Sequence, residues 1–145
     1  MLNMAMSEEE KALALEHVPL FAGISFESMA RLAAATGEQD FSAGQFIVRQ
    51  GQIGTGLYIV VEGAVKVLRG SEELADLGPG DFFGELSVID QQPRNASVQA
   101  ITDTRCLGLA SWELLTLLQT DTALSLNLIR GLVARIREFG EHHRH

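Results

Sequence analysis

Glycine recurs through the middle of the chain, and this pattern restricts the fold more than any other feature. The glycines stand at positions 44, 51, 54, 56, 63, 70, 78, 80 and 84, and short β-branched or aromatic runs lie between and beyond them, at 46–48, 57–61, 64–68 and 97–101. Many short strands with glycine turns are typical of an antiparallel sandwich or jelly roll. Glu62-Gly63 lies between two of these runs and predicts a hairpin turn. Pro79 marks a loop, because proline cannot lie inside a central strand.

Helical patterns precede and follow this segment. Residues 7–35 are predicted to be helical, with Ser7 and Ser25 as capping residues, each followed by acid in the first turn. Two more helices are predicted over residues 111–140, capped by Ser111 and Asp121. The predicted fold is therefore α+β and mainly β: a double-stranded β-helix jelly roll over residues 38–110, with N-terminal helices and two C-terminal helices. We expect residues 1–145 to form a single domain.

The last helix, predicted over about residues 122–139, carries an apolar stripe. Its members follow a 3-4-3 spacing and are widened by two leucines: Ile129, Leu132, Ile136 and Phe139, with Leu124 and Leu128. Two heptads are too few to establish a coiled coil. Packing against the β-roll and a homodimer seam are therefore both left open.

Charge and composition exclude several classes of protein. The chain of 145 residues has a net charge of −8, which argues against DNA binding, because duplex binding depends on neutralising many phosphates. No apolar run reaches the length of a membrane span, and the N-terminus lacks the order of a signal peptide. The single cysteine, Cys106, permits no internal disulfide. We expect a cytoplasmic protein.

The segment 83–98, which we call the cassette, carries the most chemistry. Glu85 follows a glycine, Arg94 follows a proline, and eight residues separate the two. A carboxylate can accept hydrogen bonds from sugar hydroxyls, and a guanidinium can donate two parallel bonds to a phosphate. The alternative is that Glu85 only caps a short helix and that Arg94 pairs on the surface with Asp90 or Asp103.

The cassette and the segment 47–63 together resemble the cyclic-nucleotide-binding domain family. This family includes the catabolite activator protein, the regulatory subunits of cyclic-AMP-dependent kinase and cyclic-nucleotide-gated channels. The resemblance covers roughly residues 15–140. It implies a sensor that binds a cyclic nucleotide, cyclic AMP first and cyclic GMP second, without a further cofactor. The sensor signals to an unknown downstream partner through movement of its C-terminal helices.

Within the cassette, Arg94 is expected to bind the cyclic phosphate and Glu85 the ribose 2′-hydroxyl. Backbone N–H groups at the turns are expected to contact phosphate or sugar oxygens, at Gly84, Leu86, Ser87 and Ala96. The apolar side chains of Leu86, Val88 and Ile89 are expected to form the underside of the cassette, which repacks when ligand binds.

The purine contacts follow from the resemblance alone. Asn95 stands where the family usually has alanine, serine or threonine, so purine selectivity stays open. Arg135 lies where some stand-alone bacterial members place an arginine that stacks on the base, and Phe139 is a second candidate.

Other functions are disfavoured by residues that the sequence lacks. His17, His142, His143 and His145 carry no metal signature and lie outside the β-roll, so a cupin-type enzyme is not expected. No nucleophile–histidine arrangement is legible, and we predict no catalytic residues and no enzyme. A transcription regulator would need a helix-turn-helix after the last helix, and the predicted last helix leaves too few residues for one in this sequence. We therefore expect either action through a partner or a fragment of a longer regulator, channel or enzyme. A non-binding jelly roll used for protein interaction is the remaining alternative.

Overall fold

The computed structural model describes residues 5–54 and 56–142, except for the side chains of residues 86, 87 and 139–142. The helices are α1 Glu8–Glu16, α2 Phe26–Ala35, α3 Glu85–Asp90, α4 Ser111–Thr120 and α5 Thr122–His142, with a 3₁₀ turn at Pro19–Phe21. The strands are β1 Gly37–Phe41, β2 Phe46–Val48, β3 Gly56–Glu62, β4 Val65–Arg69, β5 Glu72–Leu77, β6 Phe82–Phe83, β7 Ser97–Ala100 and β8 Thr104–Ala110.

The strands form two four-stranded sheets, in the orders β1-β8-β3-β6 and β2-β7-β4-β5. All pairs are antiparallel. Buried side chains from both sheets form one apolar cluster: Val48, Val60, Val65, Phe83, Val98 and Cys106. The predicted jelly roll with flanking helices is thus confirmed. Alternating apolar residues face inward because successive side chains on a strand point to opposite faces.

The predicted hairpin at Glu62-Gly63 is wrong. β3 belongs to the first sheet and β4 to the second, so the chain crosses between sheets at this point. Gly63 has φ +92°, and a Cβ there would lie 2.8 Å from the Cα of Thr104. Glycine is therefore required by close approach to the start of β8 rather than by a tight hairpin. A hairpin does join β4 and β5 around Gly70, where Arg69 pairs with Glu72.

Local capping chemistry fixes the starts of most helices. The Ser7 side chain and Glu10 form a capping box at α1, and the Ser25 hydroxyl accepts from the N–H of Ser28 at α2. The cap predicted at Ser111 is wrong, because α4 begins at that residue and Ala110 occupies the N-cap without a side-chain bond. Here the helix follows directly from β8, so tertiary placement of the strand replaces a polar cap.

A second, larger core lies between the first sheet and the helices. Its members include Leu15, Phe21, Leu32, Leu57, Leu107, Leu109, Leu114, Leu117 and Leu124. Asp121 joins three helices, since its carboxylate accepts from the N–H of Ser25 at 3.1 Å and of Leu124 at 3.2 Å. Asn127 donates to the carbonyl oxygens of Leu20 at 2.9 Å and Ala22 at 2.7 Å. These bonds fix the first turns of α5 against the N-terminal helices.

The apolar stripe of α5 divides between two surroundings. Leu124 and Leu128 are buried against the core, and Leu132 packs beside them. Ile129 is 54% exposed and Ile136 is 70% exposed, whereas the side chain of Phe139 lies outside the described residues. Packing on the β-roll thus accounts for one side of the stripe, and the other side faces away from it.

Candidate functional site

Gly84 shapes the entrance to the cassette between β6 and α3. It has φ +95°, and a Cβ there would lie 2.6 Å from Nη1 of Arg94 and 2.9 Å from the carbonyl oxygen of Gly56. A side chain at this position would therefore collide with the guanidinium and with backbone. The sequence places glycine here because both the backbone conformation and the space demand it.

Arg94 lies buried beside that glycine, with only 8% of its surface exposed. Its Nη2 donates to the carbonyl oxygen of Gly56 at 3.1 Å and its Nη1 to that of Gly84 at 3.4 Å. No carboxylate among the described residues lies within ion-pair distance of the guanidinium. Burial lowers the pKa of Arg94, while the nearby Tyr58 and Glu85 oppose that shift. Arginine nonetheless stays protonated in proteins, so the site presents a buried cation.

The surface ion pair considered for Arg94 is not formed. Asp90 accepts from the N–H of Gln92, and Asp103 accepts from the N–H of Ala43. The backbone of Arg94 is instead held by the loop after β2: its N–H donates to Gln52 at 2.7 Å, and its carbonyl accepts from Gly51 at 2.8 Å. These bonds direct the Arg94 side chain inward.

Glu85 is the first residue of α3 and is 3% exposed. Its Oε1 accepts a hydrogen bond from Nη1 of Arg135, which reaches across from α5. Its Oε2 is buried and has no hydrogen-bond partner within the described part of the chain. A buried carboxylate oxygen without a donor is costly, which indicates a site for a donor that comes from outside the chain.

Glu85 and Arg94 line the same cavity, whose volume is about 310 Å³. This lies within the range of small-molecule sites, about 300–1,000 Å³. The cavity is bounded by the second sheet, β6 of the first sheet, the cassette and α5. Its lining residues are Val48, Val67, Leu74, Ala75, Leu77, Phe82, Phe83, Gly84, Glu85, Arg94, Asn95, Ala96, Val98, Arg135 and Glu138. An apolar wall thus faces a polar one that offers one buried cation and one buried anion.

Arg135 closes the cavity on the side of α5. Its guanidinium carbon lies 4.8 Å from the centroid of the Phe82 ring, and its Nη2 donates to the carbonyl oxygen of Phe82 at 3.3 Å. Its contacts are therefore with the cassette and with the strand that precedes it. The purine-stacking role of Arg135 stays a prediction.

A family model described as the cyclic nucleotide-binding domain matches residues 38–121. The chain belongs to the cyclic nucleotide-binding domain family. The match spans the jelly roll from the second residue of β1 onward and ends at Asp121, at the junction of α4 and α5.

Similar proteins of known identity agree with this family. The chain is 36% identical over 125 residues to the cyclic AMP receptor protein of Thermus thermophilus, covering 83% of this chain and 58% of that protein. It is 33% identical over 135 residues to a cAMP-dependent protein kinase regulatory subunit of Schizosaccharomyces pombe, covering 90% and 32%. The crystal structure of the Thermus thermophilus catabolite activator protein superposes with a TM-score of 0.77 at 35% identity, covering 86% and 61%.

The chain spans less than two thirds of the length of each of these relatives. By name the two curated relatives are a receptor protein and the regulatory subunit of a protein kinase. None of the helices in the described part of the chain combines the length with the hydropathy that a membrane span requires. The same residues contain no group of three or more metal-ligating side chains.

The predicted binding residues of this cyclic nucleotide-binding domain converge, apart from two whose side chains are not described. Gly84, Glu85, Arg94, Asn95, Ala96 and Arg135 all line the cavity. Leu86 and Ser87 lie in the first turn of α3, where backbone N–H groups have no carbonyl partner within the helix. Beneath the cassette, Val88 is buried, but Ile89 is 45% exposed. Ile89 therefore does not belong to the apolar underside, because the short helix α3 buries only one side. The binding roles of all eight residues stay predictions.

Sequence reasoning missed the residues that complete the cavity. The Arg135 guanidinium lies over the ring of Phe82, and the carbonyl oxygen of Gly56 accepts a hydrogen bond from Arg94. Glu138 lines the cavity wall one helical turn beyond Arg135. Gly56 belongs to the glycine-rich segment that carries the resemblance, so its position was available as a signal. Nothing local marks Phe82 or Glu138, since their contribution depends on how α5 lies across β6.

Proposed function

We propose that this chain binds a purine 3′,5′-cyclic nucleotide, cyclic AMP in the first place, and acts as a sensor rather than an enzyme. One observation carries the proposal. Within the described part of the chain, a buried arginine without a carboxylate partner and a buried carboxylate with an unpartnered oxygen line one cavity of about 310 Å³. Such a cavity suits a ligand that offers both a negative charge and a hydroxyl donor.

Arg94 would hold the cyclic phosphate, which carries a single negative charge. A guanidinium has five N–H donors, and hydrogen bonds to protein occupy two of its nitrogens, one each. The remaining donors can bind the exocyclic phosphate oxygens in the forked geometry that arginine favours. The N–H groups of Gly84, Leu86, Ser87 and Ala96 would supplement that charge with backbone dipoles.

Glu85 would accept a hydrogen bond from the ribose 2′-hydroxyl through Oε2, for which no described residue supplies a donor. The apolar wall formed by Val48, Val67 and Leu77 would face the purine. Asn95 is an exposed polar residue at the rim of the cavity. Its amide can both donate and accept a hydrogen bond and could therefore contact adenine or guanine, so we propose cyclic GMP as the second ligand. The relatives named for cyclic AMP support cyclic AMP as the first choice.

Signalling would pass through α4 and α5 to a downstream protein. α5 contacts the site through Arg135 and the N-terminal helices through Asn127, so a shift of α5 would report on the cavity.

The exposed apolar side chains of α5, including Ile129 and Ile136, would support a homodimer in the cytoplasm. Sedimentation equilibrium tests this: the wild type should be dimeric, and a change of Ile136 to glutamate should make it monomeric.

Calorimetric titration of cyclic AMP and cyclic GMP is the direct test. The protein should first be unfolded, dialysed and refolded, because such a site can retain nucleotide from the host. We expect micromolar or tighter binding that weakens by about 2–5 kcal/mol in Arg94→Leu, as when one partner of a buried charge pair is lost. Arg69→Leu, at an exposed arginine of β4, is the matched control and should bind normally.

Two results would contradict the proposal. Affinity unchanged in Arg94→Leu would remove the assignment of the phosphate site. Failure of the refolded wild type to bind either nucleotide would favour the alternative of a jelly roll used only for protein interaction.

A further inference from the structure

A second cavity lies between the end of α1 and the first sheet, and the proposed function does not use it. Its volume is about 240 Å³, and it shares no lining residue with the cavity that holds Glu85 and Arg94. Its walls include Leu15 of α1, Ile59 of β3 and Leu107 of β8. These three side chains are at most 1% exposed. The second cavity therefore reaches from the surface into the larger core.

Polar bonds and core packing hold α1 in place over this cavity. Before the helix begins, the N–H of Met6 donates to both carboxylate oxygens of Glu38 in β1, at 2.9 and 3.0 Å. Nζ of Lys11 donates to the carbonyl oxygen of Thr36 at 2.7 Å. After the helix, Val18 is 3% exposed and packs in the core. Because both ends of α1 are fixed, the helix is not free to close the space by moving onto the sheet, and the cavity persists.

The walls offer few polar atoms to water. At the turn before β6, the N–H of Gly80 donates to the carbonyl oxygen of Val60, and the N–H of Val60 donates to that of Asp81, both at 2.9 Å. No acidic residue, lysine or arginine lines the cavity in the part of the chain that the structure describes, so a phosphate would find no charged partner there. An apolar cavity of about 150 Å³ can stay free of water and bind benzene. This larger one therefore suits an uncharged apolar molecule.

His17 supplies a polar atom at the mouth of the cavity. It is an exposed residue that lines the space, and its Nδ1 lies 2.8 Å from the carbonyl oxygen of Leu13. Because a carbonyl oxygen can only accept, Nδ1 carries the proton, and Nε2 of the neutral ring is an acceptor. Nε2 receives no hydrogen bond from the residues that the structure describes. The cavity thus combines apolar walls with one acceptor at its entrance.

We propose that the second cavity is a binding site for a compact, uncharged aromatic molecule with one hydrogen-bond donor, of the kind that indole represents. The rings fill the space beside Leu15, Ile59 and Leu107, and the donor meets Nε2 of His17. Because the two cavities share no residue, this site does not depend on the binding of a cyclic nucleotide.

NMR titration of the full chain with indole tests the site. We expect saturable shifts at the methyl groups of Leu15, Val18 and Leu107, both with and without cyclic AMP. Benzofuran has the shape of indole but lacks the N–H donor, so it should bind at the same methyl groups about threefold or more weakly, the scale of one hydrogen bond. In His17→Phe the two probes should bind equally, since the acceptor is lost.

Two alanine-to-leucine variants form a matched pair. Ala14 of α1 lines the cavity, so Ala14→Leu should fill part of the space and weaken indole binding about tenfold or more. Ala30 is exposed on α2 and lies outside the cavity, so Ala30→Leu should bind indole as the wild type does. Equal weakening in both variants would point to a general effect on the helices and would contradict the proposed site.

Three further results would overturn the proposal. They are the absence of saturable indole binding to the wild type, displacement of indole by cyclic AMP, and unchanged indole affinity in Ala14→Leu. Equal binding of indole and benzofuran to the wild type would remove His17 as the acceptor and, with it, the proposed class of ligand. Calorimetry with cyclic AMP decides the proposed function separately, so the two failures are distinguishable.

Discussion

Arg94 in the cassette and Arg105 in β8 are both buried arginines, but their charges are balanced in different ways. Arg105 is 6% exposed and is bound by two carboxylates from β1: Nε lies 2.7 Å and Nη2 3.0 Å from Asp40, and Nη1 lies 3.4 Å from Glu38. The Arg94 guanidinium instead donates to two carbonyl oxygens, those of Gly56 and Gly84, and has no carboxylate partner among the residues that the structure describes.

The pKa values of the two side chains record the same contrast. The hydrogen bond to Asp40 raises the pKa of Arg105, whereas desolvation lowers that of Arg94. A carboxylate partner supplied by the protein stabilises the fold. A buried cation without one destabilises the fold and leaves its charge for a ligand. The ion pairs between β1 and β8 thus stabilise the fold, whereas the buried charge of Arg94 in the cassette destabilises it until an anionic ligand binds.

Gly84→Ala should have the largest effect and act on the cassette alone. Gly84 has φ +95°, and the new Cβ would clash with Nη1 of Arg94 and with the carbonyl oxygen of Gly56. Because the guanidinium would be displaced, we expect the free energy of nucleotide binding to weaken by about 2 kcal/mol or more. Gly80→Ala is a matched control, since Gly80 has φ +93° but nothing within 4 Å of its Cβ position. Equal loss of binding in both variants, measured by calorimetry, would mean that backbone strain rather than the displaced arginine is responsible.

Arg105→Leu should show the opposite pattern. Losing its charged hydrogen bonds should lower the free energy of unfolding by about 1–3 kcal/mol, while nucleotide affinity stays close to that of the wild type. Urea unfolding and calorimetry of the same samples provide both values. Arg94→Leu is the mirror image, with affinity lost and the free energy of unfolding unchanged or raised. A folded Arg105→Leu protein that no longer binds nucleotide would break the contrast between the two arginines.

The β1–β8 pair should also respond to acid. The hydrogen bond from Arg105 is the main cause that lowers the pKa of Asp40. Asp40 therefore contributes stability above its unfolded pKa of about 3.9, and that contribution is lost as pH falls through the lower folded value. We expect Asp40→Asn to lose about 0.5–1 kcal/mol at pH 7, because the carboxylate is partly exposed, and to show a weaker fall in stability below about pH 4.

Asp76→Asn, at an exposed position of β5, is the control for this acid response. Thermal unfolding of the wild type and both variants between pH 7 and pH 2.5 would measure it. An Asp40→Asn variant as sensitive to acid as the wild type would show that other carboxylates dominate.

Gln91→Gly should produce the smallest effect, and in the stabilising direction. Gln91 follows α3 with φ 58°, the one positive value for a non-glycine among the described residues. Glycine adopts this conformation without the Cβ clash, so a gain of up to about 1 kcal/mol is expected, reduced by the greater entropy of glycine in the unfolded chain. Gln92→Gly, one residue on, lacks that strain and should be slightly destabilising. Chemical unfolding compares them, and a loss in both would show that the cassette stores no strain at Gln91.

The sequence-based predictions were correct where a structural feature depends on interactions between residues a few positions apart. The cap at Ser7, the N-terminal capping of α5 by Asp121 and the strand at 46–48 depend on residues within a few positions, and each is found where the sequence predicted it. β5, with the sequence Glu-Glu-Leu-Ala-Asp-Leu, was not predicted, because an exposed edge strand carries no clear apolar alternation. The turn at Gly63 was mistaken for a hairpin because the sequence does not reveal which sheet the next strand joins.

The same division applies to the site. The spacing of Glu85 and Arg94 within one short segment is enough to place a carboxylate and a guanidinium near each other, because a six-residue helix and a short loop leave the chain little freedom between them. Arg105 binds two carboxylates, and Arg94 binds none among the described residues; the pairing of β1 with β8 and the burial of the cassette decided this difference. That Arg135 binds Glu85, 50 positions away along the chain, was decided by the path of α5 across β6. Sequence alone thus determined the chemistry of the cassette, since neighbours on the chain are neighbours in space. The balance of its charges depended on contacts between distant segments, which only the packed sheets and helices bring together.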